Sequence, residues 1–159
     1  MGIIRGRIED YSSPLAGLPA RLYLGAMFLK YGLEKLSSGF GGANLHEMLD
    51  KWAAGPAYGF YVPFLQNVAM PYSGLFARLV IYGEILVGGM LLLGCAGRLA
   101  ALGGIFLCLN FLFASGAPLL SAEAPVVFLL LLVTVYATAA GRSVGLDALL
   151  KHRLPSWAA

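Results

Sequence analysis

The sequence predicts an all-helical integral membrane protein: a four-helix transmembrane bundle with a long loop between its first and second helices. Three observations carry this. Apolar residues make up 59% of the chain and charged residues 12%, where an average soluble domain is nearer half and a quarter. Mean hydropathy is +0.78. Four apolar stretches qualify against the roughly 20 residues that a bilayer-spanning helix needs. With 159 residues the chain reads as a single domain over its whole length. A soluble chain this small has too much surface to cover with so few charges, which excludes a soluble globular enzyme and a disordered chain. The net charge of +3 forms no basic stripe, so nucleic acid is excluded as a partner.

The N-terminal stretch MGIIRGRIEDYSSP carries Arg5, Arg7, Glu9 and Asp10 ahead of any long apolar run, and no small-residue cleavage site follows, so no removable signal peptide is expected. Gly6 stands where a myristoylation signal wants Ser or Thr. The first span is about residues 14–36, interrupted by Arg21, Lys30, Glu34 and Lys35. The only long connection, residues 37–73, follows it. Within that connection residues 43–54 pattern as a short amphipathic helix, with Leu45, Met48, Leu49 and Trp52 near one face. The remainder is rich in Gly, Pro and aromatics (Tyr58, Phe60, Tyr61, Phe64, Tyr72) and reads as a cap at the headgroup level. The second span is about 74–96, the third about 98–117 and the fourth about 123–140. Short links between them make consecutive helices antiparallel neighbours.

Cations set the orientation. Arg5, Arg7, Arg98, Arg142, Lys151 and Arg153 fall on one side, and Lys51, with Lys35 near it, on the other. The positive-inside rule places both termini in the cytoplasm and the long loop in the periplasm of a bacterial inner membrane. Gly25 and Gly32 share a stripe with Phe28; Gly83, Gly88, Gly89 and Gly94 dot the second span, and Gly103 and Gly104 the third. Such residues let apolar helices approach closely in lipid.

Charge within the hydrocarbon is costly and seldom unpaired. Glu84 lies near the middle of the second span, roughly 15 Å from the outer boundary at about 1.5 Å per residue. It is the candidate catalytic residue, since a buried carboxylate suits proton exchange. Lys30 and Glu34 share a face of the first helix. With Arg78 and Asn110 they fall in the same outer half by depth, so these four, around Glu84, are the candidate ligand-binding cluster. Two readings of the cluster stand side by side: a salt-bridge network that fixes helix register, or a polar pocket for a quinone head group, an anion or protons. Arg21, on the opposite face from Lys30, is expected to snorkel to the headgroups, and Arg98 to anchor the third helix at the boundary.

The two histidines, His46 and His152, lie in the loop and the tail, not in the spans where haem would need its axial ligands. No His or Cys cluster has metal-site spacing. Cys95 and Cys108 form no C-x-x-C and read as small packing residues. Cofactors held by His, Cys or a covalent bond are therefore not expected; a quinone and lipids remain. A small transporter would need a polar path to both sides, and the inner half offers only Arg21.

Several blocks resemble the DoxX family. RLYLGAMFLKYGLEKL is similar to its R-x-x-x-G…F…G-x-x-K-L opening. YGEILVGGMLLLGCAGRLAA is similar to its E-x-x-x-G…L-x-x-G…R-x-A-A block, and AGRSVGLDALL to its A-G-R-x-x-G-x-D ending. The long loop and LNFLFASG resemble the DoxD-like branch, the membrane subunit of thiosulfate:quinone oxidoreductase. The matching positions are Arg21, Gly32, Lys35, Glu84, Gly89, Gly94, Arg98, Arg142, Gly145 and Asp147. The resemblance implies a four-helix membrane bundle and two expectations. One is an accessory membrane subunit packed, through lipid and glycine-rich faces, beside other subunits of a respiratory or photosynthetic redox complex. The other is a catalytic subunit passing electrons from a sulfur donor to quinone.

Overall fold

The computed structural model describes residues 16–138 and 145–146. Among them are six α-helices and no strand. Helix α1 spans Leu18–Ser37, with a proline in its first turn, where a missing N–H costs no helical bond. Its buried face is Arg21, Leu24, Gly25, Phe28 and Gly32, the three-and-four spacing of one helix stripe. It ends in a Schellman turn: Gly39 takes φ 70°, Phe40 N–H donates to Lys35 O at 3.0 Å and Gly39 N–H to Leu36 O at 3.4 Å.

The connection folds back as a cap. Helix α2, Gly42–Ala54, opens with Gly41 N–H donating to the Asn44 side chain at 3.1 Å. It buries Leu45 and Leu49, with Met48 and Trp52 packed beside them, the face its periodicity predicts. A single turn, α3 (Val62–Phe64), runs into a π turn over Leu65–Ala69, where Met70 N–H reaches Leu65 O at 2.8 Å. Helix α4 follows at Ser73–Leu93, α5 at Gly97–Ser115, and α6 at Ala124–Thr138. The four long helices fall where the four apolar stretches were expected, within a few residues, and two of them, α4 and α5, are long and apolar enough to cross a membrane; residues 14–15 of the first expected span and 139–140 of the fourth lie outside those described.

The long helices close a ring in which α1 packs on α4, α4 on α5, α5 on α6 and α6 on α1. Small residues set the α1–α4 distance. A Cβ built on Gly88 would stand 2.5 Å from Leu29 N, one on Gly25 3.0 Å from Leu92 N, and one on Gly32 3.0 Å from Ile85 N. These antiparallel pairs also fix the register. Lys35 consequently falls level with Tyr82, half a turn from Glu84. Gly104 plays the same part between α5 and α6, with Leu132 Cδ2 2.8 Å from its would-be Cβ; Gly89 meets nothing within 4 Å and faces outward. Gly145 backs onto the end of α4, its would-be Cβ 2.8 Å from Gly94 Cα.

The cap is tied to α5. Tyr58 donates its N–H to Phe113 O at 3.0 Å and its hydroxyl to Ala117 O at 3.1 Å, and Tyr61 donates its hydroxyl to Asn110 Oδ1. Gly116, at φ 68°, lets Pro56 lie so close that a Cβ would stand 1.7 Å from its carbonyl oxygen. One core fills the bundle, with Leu24, Phe28, Leu91, Ala101, Cys108 and Leu132; another lies under the cap, with Leu45, Leu49, Leu65, Ala69, Ala77 and Ala114.

Helices α4 and α5 are long and apolar enough to cross a membrane, yet only 33% and 39% of their apolar windows are buried. Large side chains such as Leu86, Leu93, Phe106 and Leu130 are more than 60% exposed. Apolar surface on that scale needs a lipid or protein cover. The expectation for Arg21 fails: its side chain is 2% exposed, inside the bundle and not snorkelling, because it sits on the same stripe as Leu24, Gly25 and Phe28. Arg98 lies against Tyr136, its guanidinium carbon 5.8 Å from the ring centroid.

Candidate functional site

Glu84 projects from the middle of α4 into the bundle and is 4% exposed. Its partner is Lys35, in the last turn of α1. The ammonium donates to both carboxylate oxygens, at 2.8 and 2.7 Å. The Lys35 side chain is 24% exposed and that of Glu84 5%. The Lys35 Nζ also stands 5.7 Å from the centroid of Tyr31 and 5.8 Å from that of Phe111. Charge is thus compensated three ways, by the opposite ion, by two hydrogen bonds and by two ring faces.

The pair forms part of the wall of a cavity of about 220 Å³ between α1, α4, α5 and the start of α6. Phe28, Tyr31, Phe111 and Phe128 supply its aromatic walls, with Cys108, Ala124 and Pro125 completing them. Phe28 and Phe128 are stacked at a tilt with centroids 5.8 Å apart, and Tyr31 lies 6.3 Å from Phe128. An open, largely apolar cleft with one paired charge is suited to a flat ring bearing a polar atom.

The structure divides the polar cluster expected around Glu84. Lys30 and Glu34 pair with each other, 3.7 Å apart, with both side chains 58% exposed. Lys30 is two positions from both Phe28 and Gly32, roughly 200° round the helix from the packed face. Arg78 is exposed on α4, nearer the cap. Asn110 is turned to the cap: its amide donates to Phe106 O at 2.7 Å and its oxygen accepts from Tyr61. Depth alone placed these groups together; azimuth separates them. Burial raises the Tyr61 phenol above its ordinary value, so it stays protonated as the donor in that bond.

The residue missed as a Glu84 partner is Lys35, which sequence reasoning set at the membrane boundary. A signal existed: Lys35 continues the stripe of Phe28 and Gly32, three residues beyond the latter. His46 sits on the exposed face of α2, its Nδ1 3.2 Å from Met70 O. Among the described residues no three His, Cys, Asp or Glu side chains gather as a metal site.

The DoxX family model matches residues 16–117, more than half the chain, taking in α1, the cap, α4, α5 and both members of the ion pair. No solved structure matches the chain.

Proposed function

This chain belongs to the DoxX family of membrane proteins, generally associated with redox chemistry, and from that premise we propose that it is a small membrane subunit of a redox or electron-transfer complex whose Lys35–Glu84 cavity holds a quinone head group. The observation that carries the reading is the buried ion pair set in the aromatic wall of that cavity. The rings offer faces on which a planar head group stacks. An ammonium has three N–H donors; two engage Glu84, and the third serves a carbonyl oxygen of the guest. Glu84 is the proton-exchanging group, hydrogen-bonded to the cation that neutralises it. Ligand contacts pass from Lys30, Glu34, Arg78 and Asn110 to Lys35 and the ring walls. Redox groups held by metal or haem belong to partner subunits.

In this reading all four long helices cross a bacterial inner membrane. Arg5, Arg7, Arg98, Arg142, Lys151 and Arg153 lie on the cytoplasmic side, and the cap is periplasmic. Titration of the purified protein with a short-chain quinone tests the site: saturable binding is expected, weakened about tenfold by Glu84→Gln, equivalent to about 1.4 kcal/mol. Equal binding by the variant removes Glu84 from the site. Gentle detergent extraction and native mass measurement test the subunit role; a chain that runs alone or only with itself contradicts it.

A second reading, a DoxD-like catalytic subunit that itself passes electrons from thiosulfate to quinone, is supported by the long folded cap between α1 and α4, a surface on which a donor could dock. Its test is thiosulfate-dependent quinone reduction by the isolated chain.

A further inference from the structure

A second chamber lies under the cap, and Phe111 is a wall common to it and the ion-pair cavity. It measures about 180 Å³. The cap supplies Leu49, Phe64 and Leu65 to its walls; α4 supplies Phe76 and Leu79, and α5 supplies Phe106. We propose that this chamber holds the end of an acyl chain of a membrane phospholipid, drawn in sideways from the bilayer between α4 and α5.

Three features point to that occupant. Two polar groups of the wall, Tyr61 and Asn110, are already bonded to each other, and the Asn110 amide to Phe106 O; beside them the wall is apolar but for the indole N–H of Trp52. Water needs two to four polar partners, and an apolar cavity of roughly 150 Å³ stays dry and takes apolar guests. The mouth is the second feature. Leu79 and Phe106 line the chamber while 55% and 66% exposed. They sit on the same two helices as the apolar windows that the fold leaves largely unburied. The chamber is therefore roofed by the cap and opens toward the apolar faces of α4 and α5, where an acyl chain would enter. Size is the third: the space suits one chain end, with the rest of the lipid remaining in the leaflet, and is too small for a helix about 10 Å across.

The chain carries its own reporter. Trp52 lines the chamber with its ring against Phe111, centroids 6.2 Å apart. The only other tryptophan is Trp157, so a Trp157→Phe background isolates the signal. The full chain is reconstituted in phosphatidylcholine vesicles with rising fractions of a phospholipid brominated near the end of one acyl chain. The expected result is Trp52 quenching that saturates at a low fraction. Ala114→Phe fills the chamber from α5 and raises the half-saturating fraction about tenfold. Val80→Phe, from α4, does the same and serves if the first variant does not fold. Quenching that rises in proportion to the brominated fraction, equally in parent and filled variants, overturns the proposal: Trp52 then senses only bulk lipid. Saturation by a short-chain isoprenoid quinone and none by the brominated lipid overturns it too. The inference holds or fails independently of what occupies the Lys35–Glu84 cavity.

Discussion

Two Lys–Glu pairs, one within α1 and one from α1 to α4, show how position decides what an ion pair does. Lys30 and Glu34 are both 58% exposed, and surface pairs contribute little, about 0–0.5 kcal/mol at this spacing. Lys35 and Glu84 are bonded at 2.7 Å in a buried wall, and removing one partner of such a pair strands the other charge. The cost for a fully buried pair is about 3–5 kcal/mol; a Lys35 side chain 24% exposed to its surroundings reduces it. Glu84→Gln is expected to lower stability by about 2 kcal/mol and Glu34→Gln by under about 0.5 kcal/mol, read by unfolding in detergent. Equal losses would show that Lys35 is not committed to Glu84. Tyr61→Phe removes the phenol that ties the cap to Asn110. A loss of about 1 kcal/mol and faster hydrogen exchange across Gly42–Ala69 are expected. Because burial raises the Tyr61 phenol, its contribution is present in full below the ordinary value of about 10 and is lost as pH rises through the higher folded-state value. Glu84 was legible from the cost of a charge in hydrocarbon. Its partner was not, because depth was counted along the helix while rotation about the helix was not.

At the scale of elements, the α1–α4 contact rests on glycines that substitute for nothing larger. Gly88 and Gly89 are neighbours with opposite surroundings: backbone atoms of α1 2.5 Å from a Cβ at the first, open space at the second. Gly88→Ala forces α1 and α4 apart, at a cost of about 1–3 kcal/mol from overpacking. Gly89→Ala is neutral or stabilising by up to about 1 kcal/mol through helix propensity. Comparing the melting of the two variants checks this, and a tolerant Gly88 would refute the close packing. The glycine stripes were legible as packing surfaces, since Gly25, Gly32 and Gly88 recur where helices must approach. Which of two adjacent glycines faces the partner required the helix phase. The cap helix was legible from Leu45, Met48, Leu49 and Trp52. The π turn at Leu65–Ala69 was not, because an extra residue in a turn leaves no mark on apolar spacing.

For the whole molecule, hydropathy located the four long helices, because helices with so much apolar surface show as long apolar runs whatever the packing inside. It left out how the runs close into a ring and where the cavities fall, since both depend on side-chain size at contacts far apart in sequence. The proposed topology predicts opposite labelling by an impermeant thiol reagent: Cys95, in the turn between α4 and α5, from the cytoplasmic side, and Glu47→Cys on the exposed face of α2, in a Cys95→Ala background, from the periplasmic side. Labelling of both from one side refutes four crossings. Under the proposed function the Lys35–Glu84 cavity is a binding site and more than a lock between helices. Replacing both charges together, as Lys35→Met with Glu84→Leu, leaves no stranded ion, and such apolar replacements are often neutral or stabilising. The most direct measurement is short-chain quinone binding to this double variant, with its melting followed in parallel. A variant that melts as the parent does and has lost quinone binding is the predicted result; one that melts alike and binds quinone as the parent does would contradict the account.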